Sequence, residues 1–238
     1  KDEELASVEL KYTRHGPVEF EDAAHHKAYA LRAAWMETGA APYLASLRMD
    51  QAQSWPEFRK ACAYSRMPAE NMVWADRHGD IGYQAVAITP VRPKWSGLLP
   101  VPGDGRYEWD GFLSIKHLPN ATNPEKGFLV TANNYLIPPD FPFPKARHYT
   151  AADDFRFNRI NEALAATAPH DIAAMAKLQN DHLSIPARKL VPLLRDLTLT
   201  DETTRKARDQ VLAWNYRLDA DSVSAGIYET WQRRLAVN

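Results

Sequence analysis

Apolar positions alternate with polar ones early in this chain and recur at helical spacing late in it. The alternation of "SVELKYTRHGPVE", residues 7–19, predicts a strand, as does "KAYALRAAWM", residues 27–36. The polar stretch "EDAAHH" joins them. From Pro42 to Gln51 the spacing of Leu44, Leu47 and Met49 suits a helix. A second helix is expected after Ser54 as N-cap, with Trp55, Pro56 and Glu57 in its first turn. "NMVWADRHGDIGYQAVAI" places two β-rich runs around Asp76–Asp80 with Gly79 at the tip, a hairpin pattern.

Between Thr89 and Pro144 prolines and glycines crowd together in a long structured loop set of the kind that lines or covers a site. Within it "KGFLVTANNYLIPPDFPF" carries an apolar run, Phe128 to Val130, that reads as a strand ending in Asn133 and Asn134. Two amides at a strand end need partners if buried, since an unpaired buried amide costs about 1–3 kcal/mol. They bond either the protein's own backbone or a substrate oxygen. From Asp153 the pattern turns helical through "DDFRFNRINEALAAT", "APHDIAAMAKLQND", "SIPARKLVPLLRDL" and "DETTRKARDQVLAW". Asp153–Asp154 and Asp171 fall where helices begin, and the last of these segments opens on acidic residues, as an N-terminus prefers. The fold class is therefore α+β, strands and long loops over 1–152 and helices over 153–238, with no separate linker.

With 238 residues the chain can bury a substantial core. Its net charge of −1 favours neither nucleic acid nor an acidic membrane surface. No apolar run approaches the roughly 18 residues that a membrane span needs. A single cysteine, Cys62, rules out an intrachain disulfide and a multi-cysteine metal site, and its helical, amphipathic surroundings suggest a buried thiol. His25 and His26, adjacent on an extended segment, would face opposite sides and suit a surface pair better than a metal site. Trp74, Trp95 and Trp109 suit packing of a loop-rich core, with a sugar-binding platform as the alternative. Phosphate-loop, HExxH, GxSxG and strand-borne GxGxxG motifs are absent.

The ordered set of pieces says more than any one of them. "RHGPV", "NMVWADRHGDIGYQAV", "GLLPVPGDGRYEWDGFL", "NPEKGFLVTANN" and "DDFRFNRI" follow one another as in the β chain of the penicillin acylase family, which this chain resembles over roughly residues 12–235. The resemblance implies part of an αββα N-terminal-nucleophile hydrolase sandwich. It also implies an amidohydrolase that frees an acyl side chain from an amine, as penicillin, cephalosporin and acyl-homoserine-lactone acylases do. A Ser, Thr or Cys opening the mature β chain would attack, its own α-amine taking the proton. That nucleophile would lie upstream of this chain, whose first residue is Lys1, so the chain reads as a central segment, inactive alone.

By the same resemblance Asn133 corresponds to the oxyanion-hole asparagine and Arg156 to the arginine that supports it. His15 reads as structural, because the family's base is the terminal amine, and Asn134 as support for the strand end. No cofactor is implied for this stretch. A structural calcium belongs to many members, but the position corresponding to one ligand falls near Lys145, with Asp140 the nearest carboxylate. The implied partners are the α chain and the rest of the β chain of one precursor, with a small amide as substrate, in a periplasmic or secreted setting. The contrasting readings are a non-catalytic module on the same scaffold and a tryptophan-rich carbohydrate-binding module.

Overall fold

The computed structural model describes residues 7–39, 43–149, 151–166 and 170–235. The chain divides into two compact units, one of residues 1–129 with 135–150, the other of residues 130–134 with 151–238.

The first unit opens on an antiparallel sheet of strands β1 (Tyr12–Thr13), β2 (Gly16–Asp22) and β3 (Lys27–Ala30), in that order. The single strand expected over 7–19 is in fact a hairpin that reverses at Arg14–His15. Gly16 makes the reversal: its φ is +130°, and a Cβ there would lie 2.0 Å from the Leu31 carbonyl oxygen. Gly16→Ala is expected to unfold this hairpin, read as a lower melting temperature of the protein carrying it; an unchanged melting curve would contradict that account. The second expected strand is also shorter than 27–36. Its ladder ends at the Val18–Ala30 pair, Leu31 N–H closes on Pro17 O, and Ala34–Met36 form a 3-10 turn. His25 and His26 are exposed, with His25 Nδ1 2.7 Å from Asp22.

Helix α1 (Ser46–Met49) is a single turn; the expected start at Pro42 lies outside the described residues. Helix α2 (Trp55–Cys62) begins at Ser54 as expected, but the Ser54 hydroxyl makes no capping bond. Instead Glu57 reaches back and accepts the Gln53 N–H at 2.8 Å. Strands β4 (Glu70–Ala75) and β5 (Ile81–Val86) form the expected hairpin. Asp76 shapes its turn by accepting the N–H groups of His78 and Asp80, and Gly79 sits at φ +92°. The pair β6 (Thr89–Pro90) and β7 (Phe112–Leu113) forms a separate ribbon, while β8 (Asn120–Thr122) extends the hairpin on the β5 side.

Against that hairpin α2 lays Phe58, Ala61 and Cys62, joined by Met49 and Val86. Trp74 packs at a tilt against Phe58 with ring centroids 5.2 Å apart, and Trp109 meets Phe112 edge-on while Arg32 covers the Trp109 face. Both rings are thus engaged in packing. Cys62 is fully buried, and burial pushes its thiol up to about 11, the behaviour of an inert core residue. The expected strand over Phe128–Val130 is not one: the run pairs with no described strand, and a strand exists only where a neighbour takes its backbone groups.

The second unit is helical: α3 (Phe155–Ala166), α4 (Ile172–Gln179), α5 (Ile185–Leu190), α6 (Glu202–Leu212) and α7 (Val223–Leu235). The parts of the expected helices that fall on residues 167–169 lie outside the described residues. Asp171, Ser184 and Asp201 are side-chain N-caps, and Asp153 accepts the Phe155 N–H at 2.9 Å. "SIPARKLVPLL" is not one helix, because Pro192, lacking an N–H, converts Val191–Leu194 to 3-10 geometry. Ala187, Val191, Val211, Trp214, Ala225 and Tyr228 form the core of this unit.

Candidate active site

The segment carrying the two asparagines, residues 130–134, belongs to the helical unit. Ala132 and Asn134 are buried there, while Asn133 between them is exposed. Asn133 has φ +61°, the left-handed region that asparagine tolerates better than other residues with a Cβ. The bend turns its side chain outward, away from the side taken by its neighbours. Its carbonyl oxygen accepts the Ala152 N–H at 2.8 Å, tying the bend to the chain that leads into α3.

Arg156 lies in the first turn of α3, and its Nη2 donates to Asn133 Oδ1 at 3.0 Å. A guanidinium has donors only, so the amide must offer it oxygen. The Asn133 NH₂ is thereby directed elsewhere, and it makes no hydrogen bond among the described residues. Arg156 itself forms no ion pair with a described carboxylate. The result is an oriented, unoccupied donor beside a fixed positive charge.

Helix α3 is held in place one turn further on. Arg159 Nε donates to Asp181 Oδ2 at 2.7 Å with a second contact from Nη2, and Arg217 Nη1 reaches Asp181 Oδ1 at 3.2 Å. The Asp181 side chain is only 10% exposed. Burial raises its carboxyl, but the Leu183 N–H, the Arg159 hydrogen bond and the charges of Arg159 and Arg217 outweigh that and hold it below the usual carboxylate range. Glu162 and Arg188 add a two-point pair at 2.7 and 2.8 Å between α3 and α5. These anchors escaped sequence reasoning; their only sequence signal is opposite charge at long separation.

The other sequence candidates are engaged differently. Asn134 turns inward, its Oδ1 accepting the Ala132 N–H at 3.1 Å. His15 belongs to the first unit, with Nε2 2.8 Å from a Glu108 carboxylate that also pairs with Arg14 and Arg32. For calcium, no three His, Cys, Asp or Glu side chains among the described residues come together as an ion would require, and Asp140 is exposed. An open groove of about 640 Å³ runs along α7, lined by residues such as Ile227 and Trp231, and neither Asn133 nor Arg156 borders it. Among the described residues no helix is long and apolar enough to cross a membrane.

The chain matches the family described as penicillin amidase over residues 1–238. It is 31% identical to penicillin acylase 2 proenzyme of Pseudomonas sp. (strain SE83), over 94% of this chain and 29% of that protein. It is also 31% identical to the acyl-homoserine lactone acylase QuiP of Pseudomonas aeruginosa, over 66% of this chain and 20% of that one. Its structure superimposes on the thermostable penicillin G acylase of Alcaligenes faecalis with a TM-score of 0.71 and 27% identity, covering 90% of this chain and 39% of the other. The chain thus spans under a third of the length of these curated relatives. With mixed helix and strand and the fold of part of an N-terminal-nucleophile hydrolase, the chain belongs to the penicillin amidase family.

Proposed function

We propose that this chain supplies the oxyanion-binding side of an acylase active site whose nucleophile lies upstream in the same precursor. The observation that carries the reading is the outward NH₂ of Asn133, with its oxygen occupied by Arg156. In the proposed reaction a Ser, Thr or Cys at the start of the mature β chain attacks the carbonyl carbon of a substrate amide. Its proton passes to its own α-amine. Negative charge then gathers on the former carbonyl oxygen, and Asn133 Nδ2 donates to it. As the C–N bond breaks, the amine leaves with the proton held by the α-amine, and water releases the acyl group from the enzyme.

A carboxamide suits this task because it is neutral at every working pH and cannot take the nucleophile's proton. Arg156 fixes which end of the amide faces the substrate. The substrate class is an acyl side chain joined through an amide to an amine such as a β-lactam nucleus, a homoserine lactone or a peptide-like compound. The partners are the remaining segments of the precursor, and the setting is periplasmic or secreted. Support for these finer points is the family membership together with the short share of the relatives that the chain covers.

The test is to produce the natural full-length protein, sequence the N-termini of its mature chains, and assay hydrolysis of phenylacetyl and fatty-acyl amides. A chain starting with Ser, Thr or Cys and turnover by the full-length protein are expected, with none from the 238-residue chain alone. A mature protein with no such terminus and no turnover would favour a non-catalytic scaffold and overturn the reading.

A further inference from the structure

Asn133 can serve as a donor only if its backbone stays in the left-handed bend, and three bonds bear on that bend. Arg156 holds the amide oxygen, Ala152 N–H holds the carbonyl, and Asn134 Oδ1 accepts the Ala132 N–H. The third differs from the others because it closes around Asn133 rather than on it. A side-chain oxygen of residue 134 can meet the N–H of residue 132 only if the chain curls at the residue between them. Both ends of this clasp are buried, Ala132 at 6% and Asn134 at 7% exposure, so water does not substitute for it readily.

We infer that Asn134 is a positioning residue for the proposed oxyanion donor: its buried side chain clasps residues 132–134 and keeps Asn133 presented outward. The inference rests on the function proposed above and adds a residue to it. Asn134 makes no contact with substrate in this account. Loss of the clasp would let Asn133 relax toward ordinary negative φ, swinging its NH₂ away from the developing charge while leaving the acyl-binding surface alone. The effect falls on kcat and spares KM, because the donor matters most when the oxygen carries charge.

The experiment uses the full-length protein with Asn134→Leu, similar in size but without an acceptor, and Asn134→Ser, whose hydroxyl is too short to reach back. Each is made alone and in the Asn133→Ala background. The expected result is a kcat loss between about tenfold and a hundredfold for either variant, with KM within about twofold. In the Asn133→Ala background the same substitutions should cost almost nothing further, because there is no donor left to misplace. A general structural role would lower kcat equally in both backgrounds, and that outcome overturns the inference. If Asn134→Leu fails to fold, the Asn134→Ser pair decides. An unchanged kcat in the Asn134 variants, with Asn133→Ala impaired, also overturns it while leaving the proposed function standing. An unchanged kcat in Asn133→Ala overturns the function itself.

Discussion

Asn133→Ala in the full-length protein is expected to lower kcat by about 100- to 1,000-fold, corresponding to about 2.7–4 kcal/mol of lost transition-state stabilisation. KM should move little, since a neutral substrate carbonyl needs the donor far less than the charged intermediate does. Arg156→Gln should give a smaller loss of the same kind. Glutamine can present either end of its amide to Asn133, so the donor is no longer forced outward. Once Asn133 is alanine, removing Arg156 should add little, because the two act as one unit. Steady-state kinetics on the two single variants and the double variant check this directly. A substrate whose turnover survives Asn133→Ala would leave the site without its central group.

The second large effect concerns folding. Asp181→Ala should destabilise the helical unit by about 1–3 kcal/mol, because it removes the buried acceptor that joins Arg159 and Arg217, which then keep only their pairs with Glu162 and Asp219. That is a large share of a marginal total stability of about 5–15 kcal/mol. The pH dependence follows from the depressed carboxyl of Asp181. A group held below its unfolded value stabilises fully above that value, about 3.9 for aspartate, and loses its contribution as pH falls through the folded one. The gap in urea resistance between wild type and Asp181→Ala should therefore be widest near neutrality and narrow below about pH 4. A gap that is constant with pH would mean that the carboxylate charge is not what holds α3.

What the sequence shows of this fold depends on how local the cause is. The β4–β5 hairpin is legible because its alternation, its Asp76 turn and its Gly79 lie within one short stretch. The helix starts at Asp171 and Asp201 are legible for the same reason. The reversal at Gly16 is missed because its local signals, the polar Thr13–His15 and the Gly16–Pro17 dipeptide, sit between apolar positions on either side, and the approach of Leu31 from later in the chain is what demands the glycine. The run at Phe128–Val130 has strand composition, yet pairing is a property of two segments and not of one. In the candidate site, Asn133 and Arg156 are singled out through the order of several motifs along the chain, since neither residue is distinctive alone. Their hydrogen bond and the bend at Asn133 emerge only with three-dimensional placement. The ion pairs of Asp181 join residues 22 and 36 positions apart, a distance over which charge signs carry no address.

The guanidinium that grips Asn133 carries donors and no acceptor, so it can hold only the oxygen end of the amide. The direction of the carboxamide dipole is therefore set by that single contact. An uncharged side chain is thus aimed by a charged one that itself need never meet a substrate, a division of labour between pointing and touching.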